Sequence, residues 1–192
     1  MTERLKNLVR IPWAGIVTTN YDELIEYALS QSWNNGDADM PCKGTDSRLG
    51  RILNADSPLQ WFLVKIHGTV SDPGNLVFGT NEYDMTYINT TRMLSFLTAL
   101  MLRYQIVFLG CSLEGEILRL RRKLVYEFSG DISKAYALLP EFPENRQREE
   151  WLEEYAGVKS LLYPNDKGDY MGFDEFLEDA VECAEELSTA EG

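Results

Sequence analysis

IVTTNYDELIE at residues 16–26 and FLVKIHGT at residues 62–69 are the two stretches of this sequence that decide its fold. Each begins with β-branched and other apolar residues that favour a strand, and each ends in polar residues. In open α/β sheets, ligands bind at the carboxyl ends of the strands. We therefore expect Asn20, Asp22 and His67 to meet at one edge of a sheet. An amide, a carboxylate and a titratable imidazole can together act on a bound small molecule.

Strand and helix patterns alternate along the rest of the chain. Apolar runs typical of strands lie at residues 16–20, 62–67, 105–110, 135–139 and 158–163. Helical patterns lie at residues 4–10, 21–30, 82–104, 113–128, 143–156 and 173–187. This alternation predicts an α/β fold in which the five strands form one doubly wound, mostly parallel sheet with helices on both faces.

The length of the chain fits one domain. At 192 residues, we expect a single domain over residues 1–192. Residues 31–60 are rich in turn-forming residues and weakly patterned, so we interpret them as a loop or lid insertion with one helical turn near residues 49–53.

Composition excludes several classes of partner. The chain has 31 acidic and 18 basic residues and a formal charge of −13, so it lacks the basic surface that sequence-independent nucleic-acid binding needs. The same charge disfavours binding to anionic membranes. The sequence contains no uncharged apolar run of 18 residues, so it predicts no membrane span. Cys42, Cys111 and Cys183 are widely spaced, which favours a reducing, cytoplasmic location over a disulfide framework, and we expect no metal site.

Several motifs together carry a resemblance to a known family. TTNYDELIE, KIHG, FLGCSLE, YALL and GVKSLLY, in this order and spacing, resemble the sirtuin-like (silent-information-regulator-like) domain of bacteria. The match extends across nearly the whole chain. It implies a Rossmann-like, sirtuin-type fold that binds NAD.

The resemblance also implies roles for individual residues. Asn20 and His67 match the catalytic pair of the family, and Asp22 matches the residue near the nicotinamide amide. The predicted NAD-binding residues are Thr19, Asp22, Gly68, Gly110 and Ser112.

The chemistry of these side chains suits cleavage of NAD. Nicotinamide is a good leaving group on an anomeric carbon, and its departure builds oxocarbenium character as in glycoside hydrolysis. Asn20 can orient water and a ribose hydroxyl, and His67 can act as a base because an imidazole titrates near neutral pH. Gly68 lets the backbone approach a ligand closely.

Each of these residues also has a structural alternative. A single histidine beside an apolar strand can be a hydrogen-bonded core residue. Asn20 and Asp22 can be a helix cap and a first-turn acid, and Ser112 can cap the next helix. We expect Cys111 to be a small buried side chain. Arg119, Arg121, Arg122 and Lys123 form a basic cluster that we expect on a solvated helix face.

Two departures from the family refine the functional prediction. Sirtuin-like domains open with a strand and a Gly-rich turn of the G-A-G-x-S kind, and nothing similar precedes Ile16. We therefore expect the N-terminal βα unit to be absent: the chain is a fragment, the unit comes from elsewhere, or nucleotide binding has degenerated. We expect this chain alone to turn over NAD weakly or not at all, and a homo-oligomer or an additional domain to cover the exposed sheet edges.

The second departure is the lack of the paired C-x-x-C zinc ligands of sirtuin deacylases, so we expect no zinc and regard protein deacylation as less favoured. The sequence predicts an NAD glycohydrolase of the anti-phage defence type. The alternative is a non-catalytic nucleotide-sensing or assembly module.

Overall fold

Parallel strands alternate with helices in a computed structural model that describes residues 2–32, 49–53, 61–87 and 91–190. The strands are β1 (Gly15–Thr18), β2 (Phe62–Lys65), β3 (Val107–Leu109), β4 (Ala135–Pro140) and β5 (Val158–Tyr163). The helices are α1 (Glu3–Arg10), α2 (Leu24–Ser32), α3 (Leu49–Ile52), α4 (Thr80–Tyr87), α5 (Arg92–Arg103), α6 (Gly115–Glu127), α7 (Pro143–Ala156) and α8 (Met171–Ala190). A 3₁₀ turn spans Pro73–Asn75.

The chain divides into two units, the first comprising Met1–Phe96 with Leu177–Gly192 and the second comprising Leu97–Phe176. In the first unit, β1 and β2 pair in parallel, with Gly15 opposite Phe62 and Thr18 opposite Lys65. All four residues of β2 are buried. Its core contains Val9, Ala28, Leu29 and Leu63. This short sheet carries the stretches quoted from the sequence.

In the second unit, β4 lies between β3 and β5, and both pairings are parallel. Parallel neighbours require a crossover, which α6 and α7 provide. The core of this unit contains Leu113, Leu118, Ala135, Ala137, Leu139, Leu152, Ala156 and Val158. Gly157 caps the end of helix α7, and its left-handed φ of 60° turns the chain into β5.

The structure confirms the α/β class and the parallel pairing but not the single sheet. The strands lie in two sheets, β1–β2 and β3–β4–β5. A sheet is continuous only where strands share hydrogen bonds, and among the described residues β1 pairs with β2 and β3 pairs with β4. The prediction of one domain over residues 1–192 stays a prediction.

One predicted helix is two. The expected helix at residues 82–104 is instead α4, which ends at Tyr87, and α5, which begins at Arg92. Thr91 precedes α5, and its carbonyl accepts a hydrogen bond from the Ser95 amide at 2.8 Å. Threonine favours such helix starts, because its side chain competes for backbone hydrogen bonds inside a helix. The predicted helix was too long because the apolar pattern of α5 was extended to the residues before it.

Other boundaries were closer. The predictions at residues 143–156 and 158–163 match α7 and β5, and α3 lies at the predicted helical turn. Helix α2 begins at Leu24 rather than at residue 21, so Asp22 precedes the helix. Most of the proposed insertion, residues 33–48 and 54–60, lies outside the described residues. None of the described helices is long and apolar enough to cross a membrane.

Candidate functional site

Asn20 and His67 follow the carboxyl ends of the two paired strands of the β1–β2 sheet. Thr18 lies opposite Lys65 at the carboxyl ends of the two strands, and each predicted residue follows two positions later. The amide of Ile66 donates to the Thr18 carbonyl at 2.9 Å, which extends the alignment by a residue. The Asn20 amide donates to the Thr18 hydroxyl at 3.1 Å. Asn20 is exposed and His67 is half-buried.

Tyr21 joins the segments that follow the two strands. Its carbonyl accepts a hydrogen bond from the Val70 amide at 2.9 Å, and its hydroxyl donates to the Val77 carbonyl at 2.7 Å. Its ring centroid lies 6.1 Å from that of His67. The segment containing Asn20 is thus held against the segment containing His67.

Lys65 holds the same two segments together from the interior of the protein. Its side chain is 2% exposed, although it carries a charge. The ammonium donates to Glu26 Oε1 at 2.8 Å and to the Thr69 hydroxyl at 3.1 Å. The backbone carbonyls of Tyr21, at 3.3 Å, and Asp22 also lie within hydrogen-bonding distance and share its three N–H protons. A buried charge is tolerated only when it is paired and hydrogen-bonded, and these acceptors tie the segment after β1 to α2 and to β2.

Glu23 adds a second link between these segments. Its carboxylate accepts hydrogen bonds from Ser71 and, at 3.2 Å, from Thr69. These hydrogen bonds, the one from Ser71 foremost, lower the pKa of the Glu23 carboxyl. The group is therefore ionised at neutral pH, on an exposed residue.

Asp22 takes part in local capping. Its Oδ1 accepts a hydrogen bond from the Leu24 amide at 3.0 Å, so the capping alternative describes this contact. The residue is exposed, and a carboxylate has a second oxygen with which it can accept further hydrogen bonds. Thr19, another predicted NAD-binding residue, is also exposed, directly after β1.

His67 is oriented by aromatic residues. Its Nε2 lies 3.0 Å from the hydroxyl of Tyr87, and the two rings are perpendicular, with centroids 6.0 Å apart. Burial lowers the pKa of His67 below its usual value of about 6.5. The imidazole is consequently neutral at pH 7, the form that can accept a proton.

Gly68 occupies a position that no other residue fits well. Its φ is +84°, and a Cβ atom there would lie 2.7 Å from the carbonyl oxygen of Asn75. The Gly68 amide donates to the Lys65 carbonyl at 3.1 Å, which makes the tight turn around His67. The glycine thus lets the chain fold back beside the imidazole.

Gly110 and Ser112 belong to the second unit. Both are exposed after β3, and Gly110 has a φ of +62°. Arg148 on α7 donates to the carbonyls of Ser112, at 3.3 Å, and Leu113, at 3.0 Å. Cys111 between them is exposed rather than buried, because the chain has left the strand by this residue. The nucleotide-binding roles of Gly110 and Ser112 stay predictions.

The basic cluster splits between surface and interior. Arg119 and Arg122 line an open groove of about 610 Å³ beside α7, and Arg122 stacks over the Trp151 ring at 4.9 Å. Arg121 is instead completely buried, which contradicts the prediction of a solvated face for all four residues. Its position one residue from Arg122 turns it by about 100° around the helix, towards the core.

Lys65 and Tyr87, both in the first unit, contact site residues but were not predicted to do so from the sequence. Lys65 gave a local signal, since a charged residue inside the apolar run Phe62–Ile66 needs buried partners. Tyr87 gave none, because it is 20 positions from His67 and on a different element.

Comparison with models of known protein families identifies a family for this chain. A sequence model described as the SIR2-like domain matches residues 14–160. SIR2-like domains generally bind NAD. No curated protein has significant sequence similarity to this chain.

Proposed function

Because this chain belongs to the SIR2-like domain family, we propose that it binds NAD beside β1 and β2 and hydrolyses it to nicotinamide and ADP-ribose. The observation that supports the proposal is the β1–β2 register, in which Thr18 lies opposite Lys65 at the carboxyl ends of the strands, directly before the segments that carry Asn20 and His67. Ligands bind at this edge in parallel α/β proteins. The two residues match the catalytic pair that the family resemblance implies.

The proposed reaction breaks one bond and forms another. The bond between the ribose C1′ and the nicotinamide nitrogen breaks, and its electron pair leaves with nicotinamide. The oxygen of a water molecule forms the new bond to C1′, and one proton of that water passes to the base. The positive charge that develops on the ribose resembles that of glycoside hydrolysis.

His67 is the proposed base. The lowered pKa of His67 keeps the imidazole neutral at pH 7, so its lone pair is available to the water. General-base catalysis of this kind contributes roughly 100- to 10,000-fold to a rate. Asn20 is proposed to orient that water and a ribose hydroxyl, since an amide both donates and accepts hydrogen bonds.

Asp22 is proposed to hold the nicotinamide side. The Asp22 carboxylate can accept a hydrogen bond from the nicotinamide amide, while its Oδ1 remains bonded to the Leu24 amide. At Gly68 the space of a Cβ atom is taken by the Asn75 carbonyl oxygen, so the glycine supports this site through the turn beside His67. The resemblance to bacterial sirtuin-like domains extends the proposal to anti-phage defence, where several relatives hydrolyse NAD.

Nicotinamide release tests the proposal, measured with this chain and with any longer form that the same gene encodes. In the form with the higher turnover, Asn20→Ala and His67→Ala should each lower the rate by about 100-fold or more. Gln147→Ala, an amide removed from the exposed face of α7, should leave the rate unchanged.

Turnover that survives both site substitutions would remove the pair from the mechanism. If NAD raises the melting temperature of the protein but no form releases nicotinamide, hydrolysis is wrong and a nucleotide-sensing module takes its place. Thermal unfolding of each variant without NAD shows whether the fold is retained.

A further inference from the structure

We propose that Tyr87 is a positioning residue for His67, and that its hydroxyl accepts a hydrogen bond from Nε2–H so that Nδ1 is the nitrogen that takes the proton. This inference rests on the proposed function, since it names the basic atom of the proposed base. It concerns a contact inside the first unit and can be measured without NAD.

The contact occupies one ring nitrogen of His67. The Nε2 atom lies 3.0 Å from the Tyr87 hydroxyl oxygen, a normal hydrogen-bond distance. Tyr87 is 5% exposed, so this nitrogen faces a buried group of the protein. A neutral imidazole has one N–H and one lone pair, and the bond made by one nitrogen decides which role the other has. With Nε2 donating to Tyr87, the lone pair lies on Nδ1.

The surroundings hold both rings in place. The rings of His67 and Tyr87 meet edge to face at 90°, a favoured aromatic geometry. Tyr83, one turn earlier on α4, packs against the Tyr87 ring with centroids 4.6 Å apart. The Val77 amide donates to the His67 carbonyl at 3.0 Å, which fixes the backbone of the histidine. The imidazole is therefore aimed before any ligand binds.

Proton transfer would strengthen the contact. When Nδ1 takes a proton from water, the ring becomes positively charged, and its Nε2–H becomes a charge-assisted donor. Hydrogen bonds with an ionised partner are roughly twice as strong as neutral ones. Tyr87 consequently stabilises the protonated state of His67 more than the neutral state, which favours the proposed step.

The chain provides a matched control. The Tyr21 ring lies 6.1 Å from the His67 ring, almost as close as the 6.0 Å of Tyr87. The Tyr21 hydroxyl, however, donates to the Val77 carbonyl at 2.7 Å. Tyr21→Phe and Tyr87→Phe therefore remove the same atom at the same ring distance, and only the second removes the bond to Nε2.

The experiment is nitrogen NMR of the full chain labelled with ¹⁵N-histidine. His67 is the only histidine in the sequence, so its two ring nitrogens give the only imidazole signals. We expect the wild-type chain above pH 7.5 to show a protonated Nε2 and an unprotonated Nδ1. Tyr87→Phe should weaken that preference and lower the titration midpoint of His67, whereas Tyr21→Phe should change neither.

A protonated Nδ1 in the wild-type chain would overturn the inference, and this measurement needs no variant. Equal effects of the two substitutions would also overturn it. In a form that turns over NAD, Tyr87→Phe should lower kcat about tenfold at neutral pH with little change in KM, and should move the acid limb of the pH profile in the same direction as the NMR midpoint. Absence of turnover would count against the proposed hydrolysis and leave the NMR result standing.

Discussion

At the scale of single residues, Gly68 determines how the backbone turns next to His67. Its positive φ and the nearby Asn75 carbonyl together exclude a side chain. An alanine would need both a backbone conformation that L-residues avoid and a shift of the 3₁₀ turn at Pro73–Asn75. The turn beside His67 thus depends on the smallest residue.

Gly68→Ala should lower the free energy of unfolding by about 1–3 kcal/mol, because strained backbone positions cost this much. Gly74→Ala is the control, since no atom lies within 4 Å of a Cβ atom at that position and its φ is not in the left-handed region. Chemical denaturation of both variants provides the measurement. Equal losses for the two substitutions would contradict the assigned close approach.

At the scale of elements, Arg121 connects helix α6 to the end of helix α7. Its Nε donates to the Ala156 carbonyl at 3.0 Å, and its Nη2 donates to the carbonyls of Ser133 and, at 3.4 Å, Gly157. The last carbonyls of a helix lack partners within the helix. Burial lowers the pKa of Arg121 from a value so high that the guanidinium remains charged.

Replacing Arg121 by Met should cost about 2–4 kcal/mol of unfolding free energy, because this fully buried guanidinium is lost and the carbonyls of Ala156, Ser133 and Gly157 lose a charged donor at once. Arg119→Met on the same helix should cost at most about 1 kcal/mol, since Arg119 and its partner Glu116 lie at the surface. The two variants are compared by urea unfolding. A loss at Arg119 as large as that at Arg121 would refute this account.

The sequence predicts where helices and strands lie better than it predicts which of them pair or pack together. Strand β5 and helix α7 were predicted at their observed bounds, because each has an uninterrupted pattern and Gly157 separates them. Asn20 and His67 followed from where two strands end. The division into two sheets depends on which strands share hydrogen bonds, and the Tyr87 contact depends on how α4 packs. Neither leaves a periodic signal in the chain.

At the scale of the whole molecule, a single histidine makes the stability profile near neutral pH easy to interpret. The pKa of His67 is lower in the folded chain than its unfolded value of about 6.5. The unfolded chain therefore binds the proton more readily. Stability from this group is fully present above the unfolded pKa and is lost as the pH falls below it, towards the lowered folded pKa.

The difference in unfolding free energy between the wild-type chain and His67→Gln isolates this effect, because other titrating groups are common to both proteins. The difference should be constant above about pH 7.5. Below about pH 6.5, the unfolding free energy of the wild-type chain should decrease relative to that of the variant. Denaturation at half-unit pH intervals measures it. A difference that moves in the wild-type chain's favour on acidification would contradict the lowered pKa.

Because Lys65 is enclosed, its chemical modification reports whether the surrounding structure has opened. Acylating reagents need an accessible amine, and the Lys65 ammonium is surrounded by its acceptors, whereas the side chains of Lys123 and Lys134 are 67% and 62% exposed. In the folded protein, acylation is therefore directed to the surface lysines. Acyl groups on Lys65 mark molecules in which the segment between β1 and α2 had opened, so the modification pattern separates intact from damaged copies in one sample.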